Sequence, residues 1–366
     1  MRGAGRRPVA GASSTDGQKV LKFNSPSYLG FRHSSDSLEG WADLIDEGSH
    51  ETQRSTADAV AALQGCEAAI TSTSTLHLFH DFFGQLDGER LEVYAEESLY
   101  PVARWGVERA AGQGVVVRKF RHLDADDLNK QLKLTKRQPL IVANGLCTGC
   151  GEPSPVSSYL QCADQYGGRL LLDDTQALGI LGDNPSTAAP YGRGGGGVLR
   201  WAGLETAEVT VISSLAKGFG APLAVLSGPR DDVAQFAARS ETIRYCTPPS
   251  SAALNAVRCA LTLNHEHGDR IRGRLVTLVR RFKDRVASIG LSVSGGIFPV
   301  QTLGPIRGQG VGHLHKCLRR LGVEPALVSD ATNGLQRIVF CITASHEFEE
   351  IDEAVAQLQS AIDMAG

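Results

Sequence analysis

Short apolar runs, each closed by turn residues, dominate the first two thirds of the chain. They fall at residues 91–95, 115–119, 140–143, 170–172, 209–212 and 223–226, and most are apolar on both faces. Strands in a sheet covered by helices read this way. Helical segments, such as 126–134 and 156–165, lie between several of them. The alternation predicts an α/β fold with a mostly parallel sheet. Upstream, Ser55-Thr56-Ala57-Asp58 has the form of a capping box with Asp in the acidic role. It predicts a helix that begins there, runs through Val60 and Leu63 and stops at Gly65. Ala68-Ala69-Ile70, a hydroxyl cluster at 71–75 and a second helix follow.

Thr247-Pro248-Pro249 breaks the pattern. Beyond it, two amphipathic helices are predicted at 253–263 and 271–286. Ile271, Leu275, Leu278, Val279, Phe282 and Val286 share one face of the second, which Gly290 ends. The remainder alternates as strand 297–302, helix 312–321, strand 337–343 and helix 348–362, a smaller α+β arrangement. The expected organisation is therefore a disordered arm at 1–20, an N-terminal segment at 21–50, a large domain at 51–250 and a small C-terminal domain with its linking helix at 251–366. The arm is expected because Gly, Ala, Arg and Ser dominate it.

Composition narrows the class. A chain of 366 residues that is 42% apolar and 21% charged is globular, with ample core material. Its 37 Lys and Arg against 40 Asp and Glu leave a net charge of −3, which argues against a nucleic-acid face or a polybasic membrane patch. No run has the length and apolarity of a membrane span, and no hydrophobic stretch of signal-peptide length follows Arg2, Arg6 and Arg7. Eight scattered cysteines read as reduced thiols of a cytoplasmic protein. Cys147-Thr148-Gly149-Cys150 is a lone CxxC, so no metal site is expected. The glycine-dense stretch 191–197 follows no strand directly and reads as a flexible surface loop. His265-Glu266-His267 reads as a solvated loop between helices, and His346 as the start of the last helix.

Chemistry concentrates at strand ends, where ligands of parallel sheets bind. Asp173 ends one strand, and the hydroxyl cluster follows another. The run Val209 to Ile212 ends in Ser213-Ser214, and Lys217 follows among glycines. A lysine whose pKa falls on desolvation suits Schiff-base chemistry, whereas most lysines on such turns are merely solvated.

Five stretches, in this order, resemble the α-oxoamine synthase family of fold-type I pyridoxal phosphate enzymes, which includes 8-amino-7-oxononanoate synthase and glycine C-acetyltransferase. Ser25-Pro26-Ser27-Tyr28-Leu29-Gly30 resembles the family's SNNYLG, and Phe120-Arg121-His122-Leu123-Asp124 its F-x-H-N-D. Residues 171–179 resemble V-D-D-A-H-S-x-G, residues 214–220 resemble T-L-S-K-A-F-G, and Thr343-Ala344-Ser345-His346 resembles T-A-A-H. The resemblance covers residue 21 to the end. It implies a large α/β domain with a smaller C-terminal α+β domain, and pyridoxal 5'-phosphate as cofactor. Lys217 would hold the cofactor as a Schiff base and then serve as acid and base at the substrate Cα. Asp173 would pair with the pyridine nitrogen and keep it protonated. Ser72, Thr73, Ser74 and Thr75 would hold the phosphate at a helix start, with Ser214 adding a hydroxyl. Thr148 would touch the ring oxygen. A homodimer with shared sites is implied, because Tyr245-Cys246-Thr247-Pro248-Pro249 resembles the stretch that reaches the neighbouring cofactor.

The departures from the family pattern bear on substrate. Tyr100 stands where the family stacks a histidine on the ring, and an aromatic face suffices for stacking. Gln176 replaces a second histidine and still hydrogen-bonds, without a proton switch. Arg337-Ile338-Val339 replaces R-x-R, so Val339 stands where an arginine would grip the substrate carboxylate. Arg244, Arg32, His50 and Tyr28 are the candidate substrate contacts. The implied reaction is decarboxylative condensation of an amino acid with an acyl-CoA, forming a C–C bond through a Cα carbanion. One alternative is γ-elimination or γ-substitution on an S-adenosylmethionine-like amino acid, with another reactant capturing the product, in natural-product biosynthesis. Another is a non-catalytic partner subunit, against which Lys217 and Asp173 weigh.

Overall fold

The structure is a computed structural model that describes residues 20–33, 47–204, 209–306, 310–329 and 334–365. The arm expected at 1–20 lies outside them but for Val20. The chain forms two compact units, one of residues 31–147 and 153–269, the other of residues 1–30, 148–152 and 270–366.

In the small unit, β1 (Leu21–Phe23) is the first element among the described residues. The large unit then begins with α1 (Glu47–Gln64), β2 (Ala68–Ser72), α2 (Thr75–Gly84), β3 (Leu91–Glu96) and α3 (Pro101–Gly112). It continues with β4 (Val116–Phe120), α4 (Ala125–Leu132), β5 (Gln138–Asn144), α5 (Val156–Gln165), β6 (Arg169–Asp173) and α6 (Val198–Trp201). β7 (Val209–Ser214), β8 (Ala224–Gly228), α7 (Arg230–Arg239) and α8 (Glu241–Tyr245) complete it. Its seven strands run in the order β2-β8-β7-β6-β5-β3-β4. β8 alone runs opposite to the other six strands, so the mostly parallel sheet read from the sequence is observed. Alternate residues of β8 serve the two faces. Ala224 and Leu226 join Phe79, Phe83, Val93 and Val142 in one core. Leu223 and Val225 join Val60, Leu215, Phe219 and Val257 in another.

The helix read as starting at Ser55 begins upstream, by Glu47. Ser55 and Thr56 are interior residues whose hydroxyls donate to the Thr52 carbonyl at 3.1 and 2.7 Å, so the box caps nothing. Gly65 (φ +77°) does end the helix. The two helices expected at 253–263 and 271–286 are one, α9 (Ser251–Ser288), with His265-Glu266-His267 inside it. A lone glycine such as Gly268 costs a helix only about 1 kcal/mol relative to alanine. Contacts across the presumed gap compensate: Asn264 donates to the Gly194 carbonyl at 2.8 Å, and the Gly194 N–H donates to Asp269 at 2.9 Å. The glycine-dense stretch that supplies them is no flexible surface loop. Tyr191 is buried, and the backbones of Asp183 and Arg193 exchange two hydrogen bonds of 2.7 and 2.8 Å.

The small unit continues with β9 (Val293–Ser294), β10 (Val300–Leu303), α10 (Val311–Arg320), β11 (Val323–Ser329), β12 (Gln336–Cys341) and α11 (Phe348–Ala365). Its sheet order is β1-β11-β12-β10-β9. The strand expected at 297–302 starts only at Val300. β11 escapes the sequence because Pro325 interrupts it. Pro325 faces Phe23 across the short β1 pairing, where a missing donor is tolerated. Among the described residues no helix is long and apolar enough to cross a membrane.

His346 does more than open α11. The Thr343 N–H donates to its Nδ1 at 3.0 Å, so Nε2 carries the proton and donates to the Lys22 carbonyl at 3.0 Å. Its ring stacks on Phe23 at 4.4 Å. Burial pushes its pKa below the ordinary 6.5, while backbone bonds and Glu350 pull the other way without reversing the shift. The unfolded chain thus takes up the proton first as pH falls. The contribution of His346 to stability is fully present above pH 6.5 and is lost as pH drops through the folded value. Melting temperature should therefore fall less between about pH 7 and 5 in His346→Asn than in the wild type. Equal falls would refute this.

Candidate active site

Strand register brings the polar strand ends to one edge of the large sheet. Ser72 of β2 and Ser214 of β7 both pair with Ala224 of β8, from opposite sides. Asp173 of β6 pairs with Ile212 of β7 and with Asn144 of β5. The backbone beyond β6 then runs along that beyond β7. The Asp174 N–H donates to the Ile212 carbonyl at 2.9 Å, and the Ser214 N–H to Thr175 Oγ1 at 3.1 Å. Farther on, Gly179 and Gly218 pack so closely that a Cβ on Gly179 would lie 3.0 Å from the Gly218 Cα. The glycine after Lys217 is therefore a packing requirement, and it seats the Lys217 turn against the Asp173 turn.

Asp173 is buried, and its Oδ1 accepts the Thr175 N–H at 3.1 Å. Burial raises its pKa, while the Thr175 bonds and the charge of Lys217 pull it down. Lys217 is half-buried. Asp174 is a cap, but not for the segment that follows it. Both its oxygens accept the Val198 N–H at 3.2 Å, at the start of α6. Burial drives its pKa well up, and the neighbouring Asp173 charge adds to the rise. Gly197 (φ +94°) makes this possible, since a Cβ there would strike the Asp174 carboxylate.

The hydroxyl cluster sits at the N-terminus of α2. Ser74 is the N-cap and accepts the His77 N–H at 3.4 Å. Thr73 is exposed and lies 3.0 Å from His77 Nδ1. Ser72 is buried and Thr75 half-buried. No acidic residue occupies the first turn, so the positive end of this ten-residue helix is open to an anion.

Tyr100 is the N-cap residue of α3 and is 41% exposed. Gln176 is half-buried, three residues after Asp173. Tyr28 is a buried core residue of the small unit, packed edge-on against Phe298 at 5.3 Å. Thr148 belongs to the small unit. Arg32 is exposed, and Arg244 is exposed on α8 with its guanidinium 5.9 Å from the Tyr245 ring centre. His50 lies in the first turn of α1, and its side chain is outside the described residues. Val339 is buried in β12 between Thr302 and Ala326, while Arg337 is exposed.

Two groups at the same sheet edge were not singled out from the sequence. The Tyr100 N–H donates to Asn144 Oδ1 at 3.0 Å, and Asn144 Nδ2 donates to the Ser98 carbonyl at 2.8 Å. Buried Glu96 meets His122 Nδ1, Ser98 Oγ and the Leu123 N–H through one oxygen. Leu123 takes φ +54°, a left-handed backbone more natural to the Asn of the related motif. The signal was present: Glu96 and Asn144, like Asp173, are polar residues closing apolar strands.

No family model matches the chain. It is 30% identical over 256 residues to an 8-amino-7-oxononanoate synthase of Methylococcus capsulatus, covering 68% of this chain and 62% of that protein. It is 29% identical over 253 residues to the enzyme of the same name from Alkalilimnicola ehrlichii, covering 67% of this chain and 61% of that one. The chain thus spans about three fifths of the length of these curated relatives. Its fold matches that of Sphingomonas wittichii serine palmitoyltransferase with a TM-score of 0.82, at 17% identity, over 96% of this chain and 89% of that one. The chain is thus similar in sequence to two α-oxoamine synthases and in fold to a third. Its architecture is the fold-type I arrangement of that group, with Asp173 at the end of β6 and Lys217 in the turn after the adjacent β7.

Proposed function

We propose that the chain is a pyridoxal-phosphate-dependent transferase that joins the Cα of an amino acid to the acyl group of an acyl-CoA. The observation that carries this is the seating of Lys217 beside buried Asp173 by the paired turns after β6 and β7. The residues fit the cofactor. A buried carboxylate with a raised pKa accepts a protonated ring nitrogen as its counter-charge. The N-terminus of α2, with Ser72, Thr73, Ser74 and Thr75, suits a phosphate, and Ser214 stands across Ala224 from Ser72. Tyr100 supplies an aromatic face and Gln176 a neutral hydrogen-bonding group.

When bound, the cofactor supplies an electron sink for the electrons released at the substrate Cα. Lys217 Nζ would hold the cofactor covalently and would move protons at the substrate Cα. Asp173 would hold the proton on the ring nitrogen. Tyr100 would offer an aromatic face to the cofactor ring. The substrate carboxylate departs as carbon dioxide, a bond forms from Cα to the acyl carbonyl carbon, and the C–S bond to CoA breaks. A second reading is γ-elimination or γ-substitution on an S-adenosylmethionine-like amino acid, supported by the departures at Tyr100, Gln176 and Val339, which together point to a specialised substrate. A homodimer completes the proposal, supported by Tyr245, 77% exposed at the end of α8, and Trp105, 51% exposed on α3.

The test reconstitutes the protein with pyridoxal 5'-phosphate and screens amino acids for a change in the cofactor's visible spectrum. Carbon dioxide and free CoA from amino acid plus acyl-CoA support the condensation. Methylthioadenosine from S-adenosylmethionine selects the second reading. A protein that takes up no cofactor overturns both.

A further inference from the structure

We propose that Asn144 is a positioning residue that fixes the ring of Tyr100 relative to Asp173, and so sets how the cofactor's face is covered. The inference rests on the reading of Tyr100 as the ring-covering residue. Asn144 is the last residue of β5 and is 7% exposed. Its backbone is in register with Asp173, and the next N–H, that of Gly145, donates to the Asp173 carbonyl at 2.7 Å. Its side chain turns the other way along the sheet edge and brackets the turn after β3. Oδ1 accepts the Tyr100 N–H at 3.0 Å while Nδ2 donates to the Ser98 carbonyl at 2.8 Å.

The amide orientation follows from its partners, because a backbone N–H only donates and a carbonyl only accepts. A carboxylate of the same size would keep the first bond and set its charge against the Ser98 carbonyl. Tyr100 needs this support. Its N-cap position has φ −58° and ψ +144°, no side-chain cap bond, and Pro101 behind it. Pro101 restricts Tyr100 to extended backbone but leaves the turn's height above the sheet open. The other end of the turn is already anchored, since Ser98 Oγ lies 2.7 Å from His122 Nδ1 and 3.2 Å from Glu96 Oε1. Asn144 closes the second end and ties it to the strand beside Asp173. A covering ring contributes only when held to within roughly half an ångström, which a free turn does not do.

The test is a double-mutant cycle of Asn144→Ala and Tyr100→Ala, read as the dissociation constant for pyridoxal 5'-phosphate. Amide hydrogen exchange at residue 100 is followed in the cofactor-free protein. Asn144→Ala should weaken binding about tenfold in the wild type and less than about twofold in the Tyr100→Ala background. The residue-100 amide should exchange faster in Asn144→Ala and stay protected in Asn144→Asp, which keeps the acceptor. If the alanine variant does not fold, Asn144→Asp carries the cycle, with a smaller loss that again vanishes without the Tyr100 ring. Equal losses with and without that ring, or an amide that exchanges as in the wild type, overturn the proposal. Wild-type protein that binds no cofactor overturns the reading of the site as well, and so is told apart from failure of the proposal alone.

Discussion

Lys217→Ala should leave a folded protein that no longer carries its cofactor covalently. After reconstitution and borohydride reduction, the wild type should retain pyridoxal phosphate on a peptide containing Lys217, and the variant should retain none. Turnover should fall by about three orders of magnitude or more, because the same amine both holds the cofactor and moves the Cα proton. Folding should be little affected. The turn is seated by Gly218 against the Leu178 carbonyl and Gly179, and its neighbours Leu215 and Phe219 are fully buried, while the Lys217 side chain is half-buried. Lys217→Arg is the matching control, since it preserves the charge beside Asp173 but offers no amine that condenses with an aldehyde. A reduced adduct that persists in Lys217→Ala on another lysine would remove Lys217 from the site.

Asp173→Asn should act in opposite directions on the empty and the loaded protein. Burial raises the Asp173 pKa in the empty site, so its favourable contribution is fully present only below the ordinary value of 3.8 and is lost as pH rises through the folded value. Near neutral pH the variant should therefore melt higher than the wild type without cofactor. Asn keeps an oxygen for the Thr175 N–H, so the local turn survives. With cofactor the sign reverses, because the buried carboxylate gains a cationic partner and the amide does not. Cofactor affinity should drop, and turnover should fall by about two to three orders of magnitude, the usual cost of removing one preorganised charge from a reacting centre. Thermal scans of both proteins with and without cofactor across pH give the test. A variant whose gain in melting temperature on cofactor binding equals that of the wild type would show that Asp173 does not face the ring.

These two residues were legible in the chain because each stands where an apolar run stops. Asp173 follows Leu170-Leu171-Leu172, and Lys217 follows a run closed by two serines. Glu96 and Asn144 end runs in the same manner, yet no local chemistry marks them as a clamp. Their role depends on β3 and β5 being neighbours, although 46 residues separate Ser98 from Asn144. The misread elements failed for a related reason. Ser55 to Asp58 matched a cap pattern, but the helix already had its turns upstream. His265-Glu266-His267 looked like a loop until Asn264 and Asp269 found partners on the glycine-dense stretch.

The sequence by itself determined the element types across most of the sheet, because each strand's apolar residues must be buried whatever their neighbours. It also determined which reactive groups lie at strand ends, since polar residues cannot continue a buried strand without partners. Tertiary structure alone decided how those ends are brought together. The order β2-β8-β7-β6-β5-β3 sets Ser72, Ser214, Asp173, Asn144 and Glu96 along one edge, and register is a property of pairing between distant segments. It likewise decided that Asp174 caps α6 rather than the turn it begins, and that residues 191–197 are built into the fold, because both outcomes follow from which backbone N–H groups burial leaves in need of an acceptor.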